Sequence, residues 1–197
     1  MYMKKTISLF LVLALALSLA ACGGQTAQSP APTPTAVPES PAAEAHYPVT
    51  ITSYNENGET YTQTFDQCPE RVVSISQANT ELLLALGLRD KIIATAHRFS
   101  PVYEPLAEEY NSIPFIAEKG YPAKEVVLDQ EPDMIVGWGS LFAEDALGPV
   151  SEWNDRGVGT YLMNNTVSGL GNRTVEFLYD DIETLGQIFD VEDAAQA

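Results

Sequence analysis

Short apolar runs alternate with stretches of helical spacing along most of the chain. Val72-Val73-Ser74-Ile75, Ile92-Ile93-Ala94-Thr95, Ile113-Pro114-Phe115-Ile116, Met134-Ile135-Val136-Gly137-Trp138 and Thr160-Tyr161-Leu162-Met163 each read as a buried strand. They are too short for helices, and apolar residues fall on both faces of each. Pro114 withholds a ladder donor and so predicts an edge strand for the third run. Between the runs lie helical signals. Asn79-Thr80-Glu81 opens a leucine-rich helix that Gly87 stops, residues 101–110 are partly helical, a helix opens near Pro122 and ends before Pro132, and another runs from about Pro149 to Arg156 until Gly157. Thr174 is placed to cap a long helix that carries Val175, Leu178, Ile182, Leu185 and Ile188 on one side. This alternation predicts an α/β fold, a mostly parallel sheet flanked by helices. Ahead of it, residues 49–54 and 60–65 alternate polar and apolar around Asn57-Gly58, the pattern of an antiparallel N-terminal β-hairpin.

The first residues follow a different logic. Lys4 and Lys5 precede an apolar run over residues 7–19 that ends in Leu19-Ala20-Ala21-Cys22. That is the anatomy of a secretion signal ending in a lipobox, with Cys22 the expected lipidation site and mature amino terminus. The run is shorter than the ~20 residues that span a bilayer. Residues 23–46, with prolines at 30, 32, 34, 38 and 41, have too little apolar surface to offset ordering and are expected to be a disordered tether. The globular part is then residues 47–189, with residues 190–197 beginning a further helix.

Composition narrows the partners. The chain has 27 acidic and 10 basic residues, a formal charge of −17. Removing Lys4 and Lys5 with the signal leaves eight basic residues against 27 acidic ones, or −19. Nucleic acid is excluded as a partner, because binding it needs cations that displace phosphate counterions. Beyond Cys22 only Cys68 remains, so no internal disulfide can form and the exported fold relies on its core.

In an open parallel sheet, ligands sit beyond the carboxyl ends of the strands. The loops there hold Ser76-Gln77, His97-Arg98-Phe99, Glu118-Lys119-Gly120-Tyr121, Trp138-Gly139-Ser140 and Asn164-Asn165. The candidate ligand-binding residues are Gln77, His97, Arg98, Trp138, Ser140 and Asn164. Arg98 offers a planar fork of donors for paired oxygens, or is a solvated loop charge. Trp138 either stacks on a ligand or packs the sheet edge, and His97 more often makes an ordinary hydrogen bond than binds a metal. No enzyme is read here. Two histidines, His46 and His97, cannot build a three-histidine zinc site, and no Gly-x-Ser-x-Gly elbow or phosphate-cradling loop is present.

Residues 69–76 (PERVVSIS) and 79–88 (NTELLLALGL), followed by residues 131–138 (EPDMIVGW), resemble two blocks of the substrate-binding proteins of iron-siderophore and cobalamin ABC importers. The resemblance implies two α/β lobes joined by one long helix, with the ligand between them. On that pattern the sequence covers the first lobe, residues 190–197 begin the interlobe helix, and the second lobe is missing. It implies a monomeric, lipid-anchored protein on the extracytoplasmic face, capturing a ferric siderophore and delivering it to ABC permease subunits. No cofactor is expected and no metal ligand from the protein, since the chelate already fills the iron's coordination sphere. Glu125 matches the family's acidic residue that docks on the permease, with Glu81 as competitor. Cobalamin or haem are the alternative ligands, and a tethered surface interaction module is the alternative of another class.

Overall fold

The computed structural model describes residues 45–197, so the signal, Cys22 and all but the end of the tether lie outside the described residues. The alternating segments form the expected hairpin, β1 (Val49–Tyr54) and β2 (Thr60–Phe65), antiparallel with Val49 opposite Phe65. Its turn is fastened by the Asn55 side-chain oxygen, which accepts from the N–H groups of Asn57 and Glu59 at 3.0 and 2.9 Å. Gly58 supplies the positive φ of 80° that the reversal requires.

The five apolar runs become β3 (Val72–Ile75), β4 (Ile92–Ala96), β5 (Phe115–Ala117), β6 (Met134–Gly137) and β7 (Gly159–Leu162). They pair in parallel in the order β5-β4-β3-β6-β7. The chain therefore starts in the middle, builds outward to β5, and crosses back to β6 and β7. Its switch point lies between β3 and β6. Pro114 precedes β5, which is an edge strand as expected.

Alternate residues divide between two cores. Val72, Met134, Val136 and Tyr161 face one side with Leu83, Tyr110, Leu185 and Ile188. Val73, Ile75, Ile135 and Leu162 face the other with Val127, Phe142, Val150 and Trp153. Each large aliphatic side chain buried in this way contributes roughly 1.5–3 kcal/mol. The covering helices are α1 (Gln77–Ala85), α2 (Ala107–Asn111), α3 (Lys124–Leu128), α4 (Val150–Asn154), α5 (Val175–Phe189) and α6 (Glu192–Ala195). Among the described residues no helix is long and apolar enough to cross a membrane.

Three details add to the sequence reading. The hairpin does not stand apart: the Gln63 side-chain amide donates to the Thr160 carbonyl at 3.0 Å and accepts from its N–H at 2.9 Å, closing the outer edge of β7. The stripe on α5 is buried only in its second half. Leu185 and Ile188 are buried, but Val175 is 58% exposed and Leu178 42%. Finally, His46, the last residue of the expected tether, and Tyr47, the first of the expected globular part, are bonded to the carbonyls of Gln187 and Ile188 in the last turn of α5. The ordered fold thus begins no later than His46.

Candidate functional site

At the carboxyl end of β3 the backbone reverses at Ser76, whose φ is 103°, and beside it the end of β4 reverses at His97, with φ 60°. Positive φ at a non-glycine residue costs of order 1–3 kcal/mol and persists only where neighbours over-determine it. Here they do. Ser76 and Gln77 donate their N–H groups to the carbonyls of Ala96 and His97, and His97 and Arg98 donate theirs to Ala117 and Glu118. The strand ends of β3, β4 and β5 are laced together just where the side chains turn outward.

Around His97 lies a group of rings. Its imidazole is 5.7 Å, centroid to centroid, from Trp138, which it meets edge-on, 5.7 Å from Tyr121 and 5.8 Å from Phe99; Phe99 and Trp138 are 6.2 Å apart. These are the separations at which aromatic groups attract one another. Phe99 is 56% exposed. Beside it is a hollow of about 540 Å³ lined by His97, Arg98, Phe99, Ser100 and Lys119. His97 Nδ1 is buried without a hydrogen-bond partner.

The residues named from sequence have distinct fates. Trp138 and His97 come together. Ser140 stands over the same strand ends, exposed, with its hydroxyl 2.7 Å from that of Tyr121. Arg98 is not a free fork: its guanidinium is 3.2 Å from the Glu118 carboxylate and 5.0 Å over the Phe115 ring. Gln77 is only 1% exposed. Its oxygen accepts from the N–H groups of Phe99 and Ser100 and its amide donates to Glu81 and Pro101, so it moors the β4 loop from beneath. Asn164 is buried beyond β7, where its N–H donates to Asp181 at 3.0 Å. Glu81 is occupied by Gln77 and by the Tyr103 N–H, whereas Glu125 is exposed in the first turn of α3.

Phe99, Tyr121 and Lys119 were not among the named candidates, although they stand in the loops read as ligand-facing. Their signal was aromatic content: two of the loops carry a ring beside a cation. A slightly larger hollow, about 570 Å³, lies at the opposite end of the sheet, between β2 and the amino ends of β6 and β7. It lacks the converging rings and the strained backbone, so the candidate site is the one at the carboxyl ends.

Asp181 is a buried carboxyl next to this end of β7. It accepts from the Tyr161 hydroxyl at 2.9 Å and from the Asn164 N–H, yet burial outweighs both donors and pushes it up to about 6.

The family model described as periplasmic binding protein matches residues 72–197. A periplasmic binding protein from Veillonella parvula is 32% identical, with 77% of this chain and 48% of that one covered and a TM-score of 0.71. An ABC-type Fe3+-hydroxamate transport system structure from Saccharomonospora viridis is 26% identical, covering 77% and 51% of the two chains at a TM-score of 0.61. Staphylococcus aureus SirA complexed with staphyloferrin B, at 18% identity, 75% and 44% coverage and a TM-score of 0.51, shares the fold. The chain spans about half the length of these structures. No curated protein matches it.

Proposed function

The chain belongs to the periplasmic binding protein family, and from that footing we propose that it is the ligand-capturing component of an ABC importer, taking up a ferric siderophore outside the membrane and passing it to the permease. The observation that carries this reading is the cluster of His97, Phe99, Tyr121 and Trp138 at the carboxyl ends of the sheet strands, with an open hollow beside His97 and Phe99. A ferric chelate presents aromatic or amide faces and ligand oxygens to its surroundings. Rings and N–H or O–H donors answer those features without touching iron. The Fe3+-hydroxamate relative makes hydroxamates the first class to try. Cobalamin and haem remain the alternatives.

Anchoring through Cys22 and docking through Glu125 belong to the same proposal. An exposed glutamate at the start of α3 is sterically free to meet a cationic surface on a permease. Cys22→Ser is expected to release the protein from membranes into the soluble fraction.

The test is tryptophan fluorescence on titration with ferric hydroxamate, ferric catecholate, haem and cobalamin. Trp138 is partly exposed within the ring cluster and Trp153 is fully buried in the opposite core, so quenching that disappears in Trp138→Phe reports the site. Absence of a Trp138-dependent response to all four, at concentrations up to the solubility of each ligand, would sink the proposal.

A further inference from the structure

We propose that His46, Asp190 and Glu192 form a binding site for a divalent transition-metal cation of the zinc type, which fastens the segment ahead of β1 to the junction of α5 and α6. The site is independent of the ligand face. It lies by the carbonyl of Phe189, which the Cys68 thiol approaches just ahead of β3, at the other end of the sheet from the ring cluster.

The argument begins with the imidazole. His46 Nε2 is 2.7 Å from the Gln187 carbonyl oxygen. A carbonyl can only accept, so Nε2 carries the hydrogen, and in the neutral form of the ring the Nδ1 lone pair is the one turned outward. That lone pair faces two carboxylates: Asp190 Oδ1 at 3.2 Å and Glu192 Oε1 at 3.7 Å. Three electron-rich atoms pointed at one another repel unless something positive stands among them. A proton on Nδ1 can satisfy one oxygen well. A cation satisfies all three.

Dimensions and surroundings fit the second option. Zinc bonds of ~2.0–2.2 Å at a tetrahedral angle place neighbouring ligand atoms about 3.3–3.5 Å apart. The two measured separations bracket that value, and all three candidate atoms lie within 4.8 Å of one another. The remaining gap closes by rotating the part-exposed Glu192 side chain. Donation of the second ring nitrogen to a backbone carbonyl is the usual way a metal-binding histidine is held in its tautomer. One imidazole with two carboxylates suits zinc and its neighbours rather than calcium or magnesium, which prefer all-oxygen shells.

The backbone brings the ligands together for a local reason. Asp190 ends α5 in the left-handed region, at φ 57° and ψ 45°, and the Val191 N–H returns to the Gly186 carbonyl at 2.9 Å. That turn swings Glu192 back beside Asp190. Opposite them, the Tyr47 hydroxyl bonded to the Ile188 carbonyl at 2.8 Å keeps His46 in register. A cation here would cross-link two segments far apart in sequence and stiffen the start of α6.

The experiment uses the whole chain without a histidine tag, freed of metal by chelator, titrated with Zn2+ by calorimetry and with Co2+ by visible absorption. One equivalent is expected to bind, with affinity at least about tenfold weaker in His46→Gln and in Asp190→Asn and unchanged in His97→Gln. Nitrogen-15 spectra of the two histidines should show the His46 Nδ1 resonance moving on zinc addition while His97 stays. Failure to bind a stoichiometric ion, undiminished affinity in His46→Gln, or a His46 resonance that responds to pH and not to zinc would each overturn the proposal, the last by making the cluster an imidazolium–carboxylate ion pair.

Discussion

Gln77 and Asp181 show how residue type alone misleads. An amide in a ligand-facing loop reads as a ligand donor, but Gln77 opens α1 and points beneath the loop, where every one of its polar atoms is spent on Glu81, Phe99, Ser100 and Pro101. Gln77→Leu keeps much of the bulk and strands the N–H groups of Phe99 and Ser100. An unmade buried hydrogen bond costs about 1–3 kcal/mol, so urea unfolding should show a loss of that order and the Phe99 loop should exchange its amide hydrogens faster. Asp181 was invisible for another reason: it sits on an α5 face where the pattern predicts apolar residues, and only the structure reveals Tyr161 and Asn164 beside it. Its folded value of about 6 exceeds the ordinary 3.8. The folded state therefore holds the proton more tightly than the unfolded one, so this contribution to stability is full below pH 4 and is lost as pH rises through 6. Asp181→Asn removes that dependence. Between pH 4 and pH 7 the stability of the variant relative to the wild type should move in the variant's favour by an amount on the order of 3 kcal/mol, read from unfolding curves at several pH values.

Elements were legible where backbone rules act locally. All five strands of the sheet could be read from short apolar runs, and the Pro114 edge, the Gly87 stop and the Thr174 cap follow from what proline, glycine and a β-hydroxyl do to a chain. Thr174 Oγ1 accepts from the Phe177 N–H at 3.1 Å, as a cap should. Thr174→Ala is expected to cost about 1 kcal/mol in thermal or urea unfolding, while leaving the central strands' hydrogen exchange pattern unchanged. What the pattern could not give was depth. Val175 and Leu178 continue the stripe of Leu185 and Ile188 yet lie exposed, because spacing reports which face an element presents and not how far its neighbours extend along it. Strand order was hidden for a related reason. Parallel strands with both faces covered carry no record of their partners, and the crossing back from β5 to β6, which creates the switch point, appears only in the assembled sheet.

At the scale of the molecule, the strand order gathers one wall of the candidate site among the described residues. Loops after β4, β5 and β6 bring His97, Phe99, Tyr121 and Trp138 together, and the hollow beside them opens to solvent. This chain covers only about half the length of the solved structures it matches. Small-molecule sites that bind well bury roughly 70–90% of their ligand, whereas a single wall covers about half at best. Losing that much contact removes several kcal/mol, and each 1.4 kcal/mol is about a factor of ten in affinity. On the proposed function, the 197-residue chain is therefore expected to bind a ferric siderophore with a dissociation constant no tighter than about 10 μM, with Trp138 quenched and Trp153 unaffected. Tight stoichiometric binding in the same fluorescence titration would mean that a second copy of the chain, or some other surface, completes the enclosure, and sedimentation in the presence of ligand would separate those outcomes.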